Sequence, residues 1–300
     1  MTRSDLQLRA NHLRSGRTPY VVATVVRAER PTSAKAGDSA LLLPDGTLEG
    51  FVGGTCAEST VRLEGLRLLE TGESTLLRIT PAADEREVVE DGLVTVGNPC
   101  LSGGTLEIFL EAMIPATLVH VFGDAPIARA LVQVGEALGY DVRATGDPEE
   151  PFPADTAAVV VASHGRHEQR VLAGAVRAGI PYVALVASRR RGHAVVAELD
   201  LSEDEKARVH TPAGLDIGAR AAPEIALSVL AEIIATRPRP ARQVSVPAVL
   251  PTEAVDPVCG MTVAVTAESL RLEHDGKVWH FCGPGCRQAF ADDPGRYLDE

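Results

Sequence analysis

The spacing of apolar residues changes character along the chain, and each change marks a module. Asp5 to Leu13 has helical spacing, Tyr20 to Val26 is a β-branched run, and Ser39 to Leu43 and Thr47 to Val52 are short apolar strands joined by the turn signal Pro44-Asp45-Gly46. Val61, Leu63, Leu66, Leu68 and Leu69 suggest a helix, and Leu76 to Thr80, Leu93 to Val96 and Thr105 to Leu110 read as further strands. This mixture predicts an α+β domain over residues 1–115.

From Leu118 short apolar strands alternate with helices: Leu118 to Phe122, Ile127 to Leu138, Asp141 to Ala144, Ala157 to Ala162, Glu168 to Ala178 and Tyr182 to Val186, with a last helix over Pro223 to Ala235. Such alternation is the signature of a parallel, doubly wound α/β sheet, here a Rossmann-like domain over residues 116–236. Arg237-Pro238-Arg239-Pro240 and Val244 to Pro251 are proline-interrupted and aperiodic, which predicts a linker over residues 237–254. Residues 255–300 form a small C-terminal module of metal-binding type.

Length agrees with this division, since 300 residues allow two cores and one small addition. Charge narrows the function classes. With 41 acidic against 29 basic residues, the net charge of −12 repels a phosphate backbone and argues against nucleic acid as a partner, so an anionic ligand needs a local basic pocket. No apolar run approaches the roughly 18–20 residues of a membrane span, and Met1 to Gly16 lacks the apolar core of a signal peptide, so the expected location is the cytoplasm. Five cysteines, three of them in the last 42 residues, suit reduced thiols or a metal better than a disulfide framework.

Candidate chemistry gathers in glycine-rich turns. Gly50 to Ser59 places Cys56 just before a helix and behind Gly53 and Gly54, which permit close backbone approach. A helix N-terminus stabilises a thiolate, which makes Cys56 a candidate nucleophile, metal ligand or sulfur carrier, while a small thiol packing a tight turn explains the same residues. Gly97 to Gly104 is a second such loop and holds Cys100, so the two thiols are candidates for one pocket.

In the second domain the first strand-to-helix turn, Gly123-Asp124-Ala125, keeps only the first glycine of the dinucleotide fingerprint, and its extra Cβ and carboxylate oppose NAD(P). Asp147 suits a ribose hydroxyl or a loop cap. Ligands of open α/β sheets bind beyond the carboxyl ends of the strands, where Ser163 to Glu168, with His164 and His167, and Ala187 to Gly192 fall. Ser188, Arg189, Arg190 and Arg191 open a helix there and predict an anion site, the alternative being a solvated helix start. Thr211 to Gly218, with Asp216, is a further glycine loop placed to close over that edge. In the tail, Cys259, Cys282 and Cys286 suit zinc, copper or iron. An extended Val278 to Cys282 would put His280 on the face of Cys282 as a fourth ligand.

Several separated motifs together resemble the XdhC/CoxI family over about Arg17 to Ala235: Pro44 to Glu58 with its Gly-Gly-Thr-Cys-Ala-Glu core, Gly103-Gly104-Thr105-Leu106-Glu107-Ile108-Phe109, Ser188-Arg189-Arg190-Arg191, and Gly214-Leu215-Asp216-Ile217-Gly218. The resemblance implies a maturation chaperone rather than a turnover enzyme. It would bind molybdenum cofactor, in its molybdopterin or dinucleotide form, assist its sulfuration and deliver it to a xanthine dehydrogenase or carbon monoxide dehydrogenase type apoenzyme. It carries over Cys56, Glu58 and Cys100 as working positions; Gly53, Gly54, Gly123, His164, Ser188, Arg189, Arg190, Arg191 and Asp216, from their place in the glycine turns and at the sheet edge, are the expected cofactor side. A molybdenum hydroxylase apoenzyme and a cysteine desulfurase are the implied partners, with a homodimer as the assembly. The chain departs from the family at Gly123-Asp124-Ala125 and at Cys100-Leu101-Ser102, where relatives have a fuller fingerprint and a Cys-Gly-Gly. Residues from about Val255 resemble a YHS domain, with Trp279 replacing the usual tyrosine and no serine. Two alternatives stand beside this reading: an NAD(P)-dependent oxidoreductase, and a metal chaperone or sensor centred on the tail.

Overall fold

The computed structural model describes residues 1–81, 87–97, 104–236 and 252–298; Cys100 and residues 237–251 of the expected linker lie outside them. Contacts divide the chain into two compact units, Met1–Pro115 with Pro240–Glu300, and Ala116–Arg239.

The first unit opens with α1 (Arg3–Ser15), started by a capping box in which the Thr2 hydroxyl accepts the Asp5 N–H and the Asp5 carboxylate accepts the Thr2 N–H. Next come β1 (Tyr20–Ala28), β2 (Ser39–Leu42), β3 (Leu48–Gly50), α2 (Thr55–Thr71), β4 (Ser74–Thr80), β5 (Glu87–Glu90), β6 (Leu93–Gly97) and β7 (Leu106–Met113). They build a seven-stranded sheet in the order β3-β2-β1-β7-β4-β6-β5, antiparallel except for the β4–β6 pair. Alternation along the strands gives the sheet two apolar faces. One packs Val61, Leu63 and Leu66 of α2 with Val21, Ala23, Leu77, Ile108 and Leu110; the other packs Leu6 and Leu13 of α1 with Tyr20 and Leu41.

The second unit runs β8 (Leu118–Phe122), α3 (Pro126–Ala137), β9 (Asp141–Thr145), β10 (Thr156–Val161), α4 (Glu168–Arg177), β11 (Tyr182–Leu185), α5 (Arg189–Ala197), α6 (Glu203–Lys206), β12 (Val209–His210) and α7 (Ala222–Thr236). Its sheet is wholly parallel, in the order β12-β11-β10-β8-β9. Chain direction across the sheet reverses between β8 and β10, which makes that crevice the topological switch point. Leu131 of α3 and Val229, Leu230 and Ile233 of α7 cover one face, and Val171, Leu172 and Val176 of α4 the other. The sequence expectation of a Rossmann-like parallel sheet is met, with β8 buried along its whole length and β10 reading as a continuous run of Ala and Val after Thr156.

The tail returns to the first unit. Two ribbons, β13 (Glu253–Val255) with β14 (Thr262–Ala264) and β15 (Leu270–His274) with β16 (Lys277–Phe281), precede α8 (Pro284–Asp292) and a short 3₁₀ turn, Pro294–Tyr297. Phe290 is fully buried among the rings of His274, Trp279, Phe281 and Tyr297. This local core does not stand alone. Ala264 of β14 joins the apolar cluster under α2, and Arg67 of α2 forms an ion pair with Glu253 of β13. The turn at Gly46 completes the docking surface: its φ is +87°, and a Cβ there would stand 2.7 Å from the Thr266 methyl. No helix among the described residues is long and apolar enough to cross a membrane.

Candidate functional site

At the carboxyl edge of the second sheet the chain leaves β11 through Val186 and Ala187 and starts α5 at once. Ser188 caps it by accepting the Arg191 N–H, so the helix N-terminus points into the space beyond the strand ends. A cleft of about 760 Å³ lies there, lined by His164, Ser188, Arg189, Arg191, Gly214 and Asp216 among others. The Thr211–Gly218 loop closes one side of it. Glu232 of α7 fixes that loop by accepting from the Gly214 N–H at 2.7 Å and from the Tyr182 hydroxyl, while its other oxygen meets His210 Nδ1 at 3.1 Å. Burial, with the Glu232 carboxylate beside it, pushes the Tyr182 hydroxyl far up, so Tyr182 stays a hydrogen-bond donor.

The three arginines have separate roles. Arg191 pairs with the buried carboxylate of Glu168, which also accepts the Gly165 N–H at 2.8 Å. Arg189 is exposed on the cleft wall, and Arg190 is exposed and does not line the cleft. His164 reaches the wall from a left-handed backbone position (φ 54°).

Gly123 lies elsewhere, on a smaller cleft of about 460 Å³ at the turn after β8. Its φ is +125° and a Cβ would meet the Ala162 carbonyl at 2.3 Å, so glycine is required there by packing against the end of β10. Beside it Asp124 is ion-paired with Arg166 across the switch point.

The second candidate centre is made of sulfur. Cys56 sits in the first turn of α2, two residues after the N-cap Gly54; Gly53 is buried at φ +143°, whereas Gly54 adopts an ordinary extended backbone with open space around it. Glu58 is half-buried, and burial pushes its carboxyl up against the opposing charge of Arg62. Cys56 packs with Cys259, Cys282, Cys286, Met261 and Val263. Asp256, Cys259, Cys282 and Cys286 bring one ligand atom each to within 4.8 Å of one another. The Cys259 and Cys282 sulfurs are 3.6 Å apart, those of Cys282 and Cys286 3.7 Å.

Thiols this close do not all ionise together. The hydrogen bond with Cys282 pulls the Cys259 thiol down. The Cys282 thiol is pushed well up by Cys259 and Cys56 beside it and by burial, and Cys286, chiefly through burial, is pushed up to about 12. A thiophilic cation placed among them would offset that repulsion.

His280 is not in the gathered group, and Asp256 is. The expected alternation assumed extended backbone through Cys282, but β16 ends at Phe281 and Cys282 enters the turn into α8, so the two side chains need not share a face. His280 Nδ1 is instead buried with no hydrogen-bond partner among the described residues. Asp256 carried no ligand signal in its sequence context. Glu168 and Glu232, which anchor the cleft, read as ordinary helical acids; only their place on predicted helices facing the sheet edge could have singled them out.

Comparison with known proteins fits this architecture. Residues 13–80 match the XdhC and CoxI family, residues 119–233 the XdhC Rossmann domain and residues 254–300 the YHS domain. The chain thus carries both XdhC-type domains, followed by a YHS domain. The uncharacterized protein YqeB of Escherichia coli is 26% identical over 244 residues, which cover 72% of this chain and 43% of YqeB. The molybdenum cofactor insertion chaperone PaoD of Escherichia coli is 23% identical over 286 residues, covering 78% of this XdhC-type chain and 88% of PaoD. A copper-transporting P-type ATPase of Rhizobium leguminosarum is 49% identical over 43 residues, 14% of this chain and 5% of the ATPase. The chain thus spans less than half of YqeB but most of PaoD.

Proposed function

We propose that this XdhC-family protein binds molybdenum cofactor and delivers it to a molybdenum hydroxylase apoenzyme of the xanthine dehydrogenase or carbon monoxide dehydrogenase type. The observation that carries the reading is the cleft at the carboxyl edge of the second sheet, where Arg189 and the N-terminus of α5 face one space. Molybdenum cofactor is an anionic pterin, and its dinucleotide form adds a pyrophosphate. A cleft of about 760 Å³ is within the usual range for ligands of that size. Its donors suit the charge: a guanidinium gives bidentate contacts, and a helix N-terminus offers oriented N–H groups. Ser188, Arg189, His164 and Asp216 would hold the cofactor, with Arg191 stiffened by Glu168. The bound cofactor supplies the molybdenum chemistry; the protein binds, orients and shields it. PaoD, a similar protein of nearly matching extent, supports delivery as the role.

Assistance in sulfuration, with sulfur from a cysteine desulfurase, falls to Cys56, whose thiol gains from the N-terminus of α2, with Glu58 in the same first turn. Cys100, outside the described residues, stays a candidate on family resemblance. The oxidoreductase alternative has less support, because Asp124, paired with Arg166, presents a carboxylate at the switch point where a pyrophosphate would approach.

The test is a client molybdenum hydroxylase purified from cells lacking this protein. The reading predicts client polypeptide of normal yield and size with molybdenum and pterin content reduced at least several-fold. Full cofactor content and activity in those cells would contradict it. A second reading, metal handling by the tail, is favoured by the Asp256, Cys259, Cys282 and Cys286 group and by the copper-transporting relative of that segment. Zinc, copper or iron suits those ligands.

A further inference from the structure

We propose that Cys56 completes, with Cys259, Cys282 and Cys286, a four-thiolate zinc site that fastens the tail to the start of α2.

The spacing fits a tetrahedral ion before any ion is placed. A zinc–sulfur bond of about 2.3 Å gives a tetrahedron with sulfur–sulfur edges of about 3.8 Å. The two edges described by the tail cysteines are 3.6 and 3.7 Å.

Three tail cysteines leave one vertex to fill. Asp256 is inside the group but is already committed: it is fully buried, its Oδ1 accepts the Val258 N–H at 2.9 Å, and its Oδ2 accepts the Cys282 N–H at 2.8 Å. Those bonds make it the residue that shapes the Cys259 turn and aims Cys282. A positioning carboxylate behind the ligands is a recurrent feature of metal sites. Among the described residues the remaining soft donor is Cys56. It packs against the tail cysteines, stands beside Cys282, and lies so near the following residue that a Cβ added to Gly283 would be 3.8 Å from its sulfur.

Two helix N-termini also converge on this point. Cys56 is in the first turn of α2, and Cys286 is in the first turn of α8, three residues after its N-cap Gly283. Both dipoles favour the concentrated negative charge of a thiolate cluster. Four thiolates with no open position describe a closed site, which suits zinc better than copper(I). While the ion is bound, Cys56 is held among the tail sulfurs and cannot carry sulfur, so the sulfuration role belongs to the metal-free chain. The proposal goes beyond the cofactor reading and does not rest on it, since its readouts are made on the full chain with no pterin present.

The test is cobalt(II) titration of the full-length chain as a spectroscopic stand-in for zinc. One ion per chain with the ligand-to-metal charge-transfer intensity of four thiolates is expected, and Cys56→Ser should reduce this to three while Asp256→Asn keeps four. Equal spectra for the native chain and Cys56→Ser would overturn the proposal, as would three-thiolate intensity in the native chain, the count expected if Asp256 held the fourth vertex. Alkylation with N-ethylmaleimide, mapped by mass spectrometry on the native chain, avoids any folding defect of the variants. One equivalent of zinc should slow modification of Cys56 at least tenfold, together with Cys259, Cys282 and Cys286. Protection of the three tail cysteines with Cys56 unchanged would contradict it, as would copper(I) binding that leaves Cys56 reactive.

Discussion

Arg67 of α2 and Glu253 of β13 form an ion pair at 2.8 Å, so the helix that opens with Cys56 is also the helix on which the tail rests. Ala264 in the core under α2 and Thr266 against the Gly46 turn extend the same contact to both sides. A cysteine loop and a C-terminal module that are distant in sequence are therefore one packed body.

Replacing Gly46 tests that body. An alanine there would have to take a left-handed backbone and would crowd the Thr266 side chain, two independent penalties. We expect Gly46→Ala to lower stability by roughly 1–3 kcal/mol and to speed hydrogen exchange in β13 and β14, with α3 and α7 unchanged. Exchange in the tail identical to the native chain would show that the Gly46–Thr266 approach is not a restraint.

Asp256→Asn probes the shaping of the cysteine turn. The native carboxylate accepts two backbone N–H groups; an amide turns one acceptor into a donor facing the N–H of Val258 or Cys282. Leaving one buried N–H without its acceptor costs about 1–3 kcal/mol. Cys282, only 3% exposed, should then react with thiol reagents several-fold faster in metal-free protein. An unchanged rate would mean that Asp256 does not hold that turn.

The arginines of the cleft should separate by phenotype. Arg191→Ala strands the buried Glu168 carboxylate and should cost about 1–3 kcal/mol of stability. Arg189→Ala, on the exposed wall, should leave thermal stability nearly unchanged but weaken binding of inorganic pyrophosphate, with less salt dependence than the native chain shows. Calorimetric titration at two salt concentrations and a thermal melt of each variant decide this. A destabilised Arg189→Ala with native pyrophosphate affinity would reverse the assignment.

His120 predicts the acid side of the second unit's stability. It is buried in β8, edge-on to Phe152, and its Nε2 has no hydrogen-bond partner among the described residues. Burial holds its pKa below the ordinary 6.5. A depressed folded value means the unfolded chain takes up the proton first, so this contribution is present above about pH 6.5 and lost as pH falls toward the folded value. We expect His120→Leu to flatten the decline of stability below about pH 6.5. An equally steep decline in the variant would assign it to other groups.

Much of the fold was legible in the chain because burial and periodicity coincide. The run from Ala157 to Ala162 reads as a strand because β10 is covered on both faces, and the apolar spacing from Val61 reads as a helix because α2 buries one stripe. β12 escaped notice, being only Val209–His210, too short to show a period. The arginines after β11 could be placed at a ligand edge from strand alternation alone, but not sorted, since the partner of Arg191 is on another helix. At the tail, cysteine spacing drew attention to the right segment. Asp256 was not legible because its role rests on a hydrogen bond to a residue 26 positions away, and a rule of alternating faces stopped applying where β16 ends. The approach of Cys56 to the tail is a tertiary fact with no local signature.

The central claim, that this chain carries molybdenum cofactor, is tested most directly by purifying it from a molybdenum-replete host and measuring pterin fluorescence and molybdenum on the same sample. The account predicts stoichiometric pterin and molybdenum on the native chain, and a several-fold loss of both on Arg189→Ala at unchanged thermal stability. Pterin and molybdenum at the level of a molybdenum-starved control would contradict it.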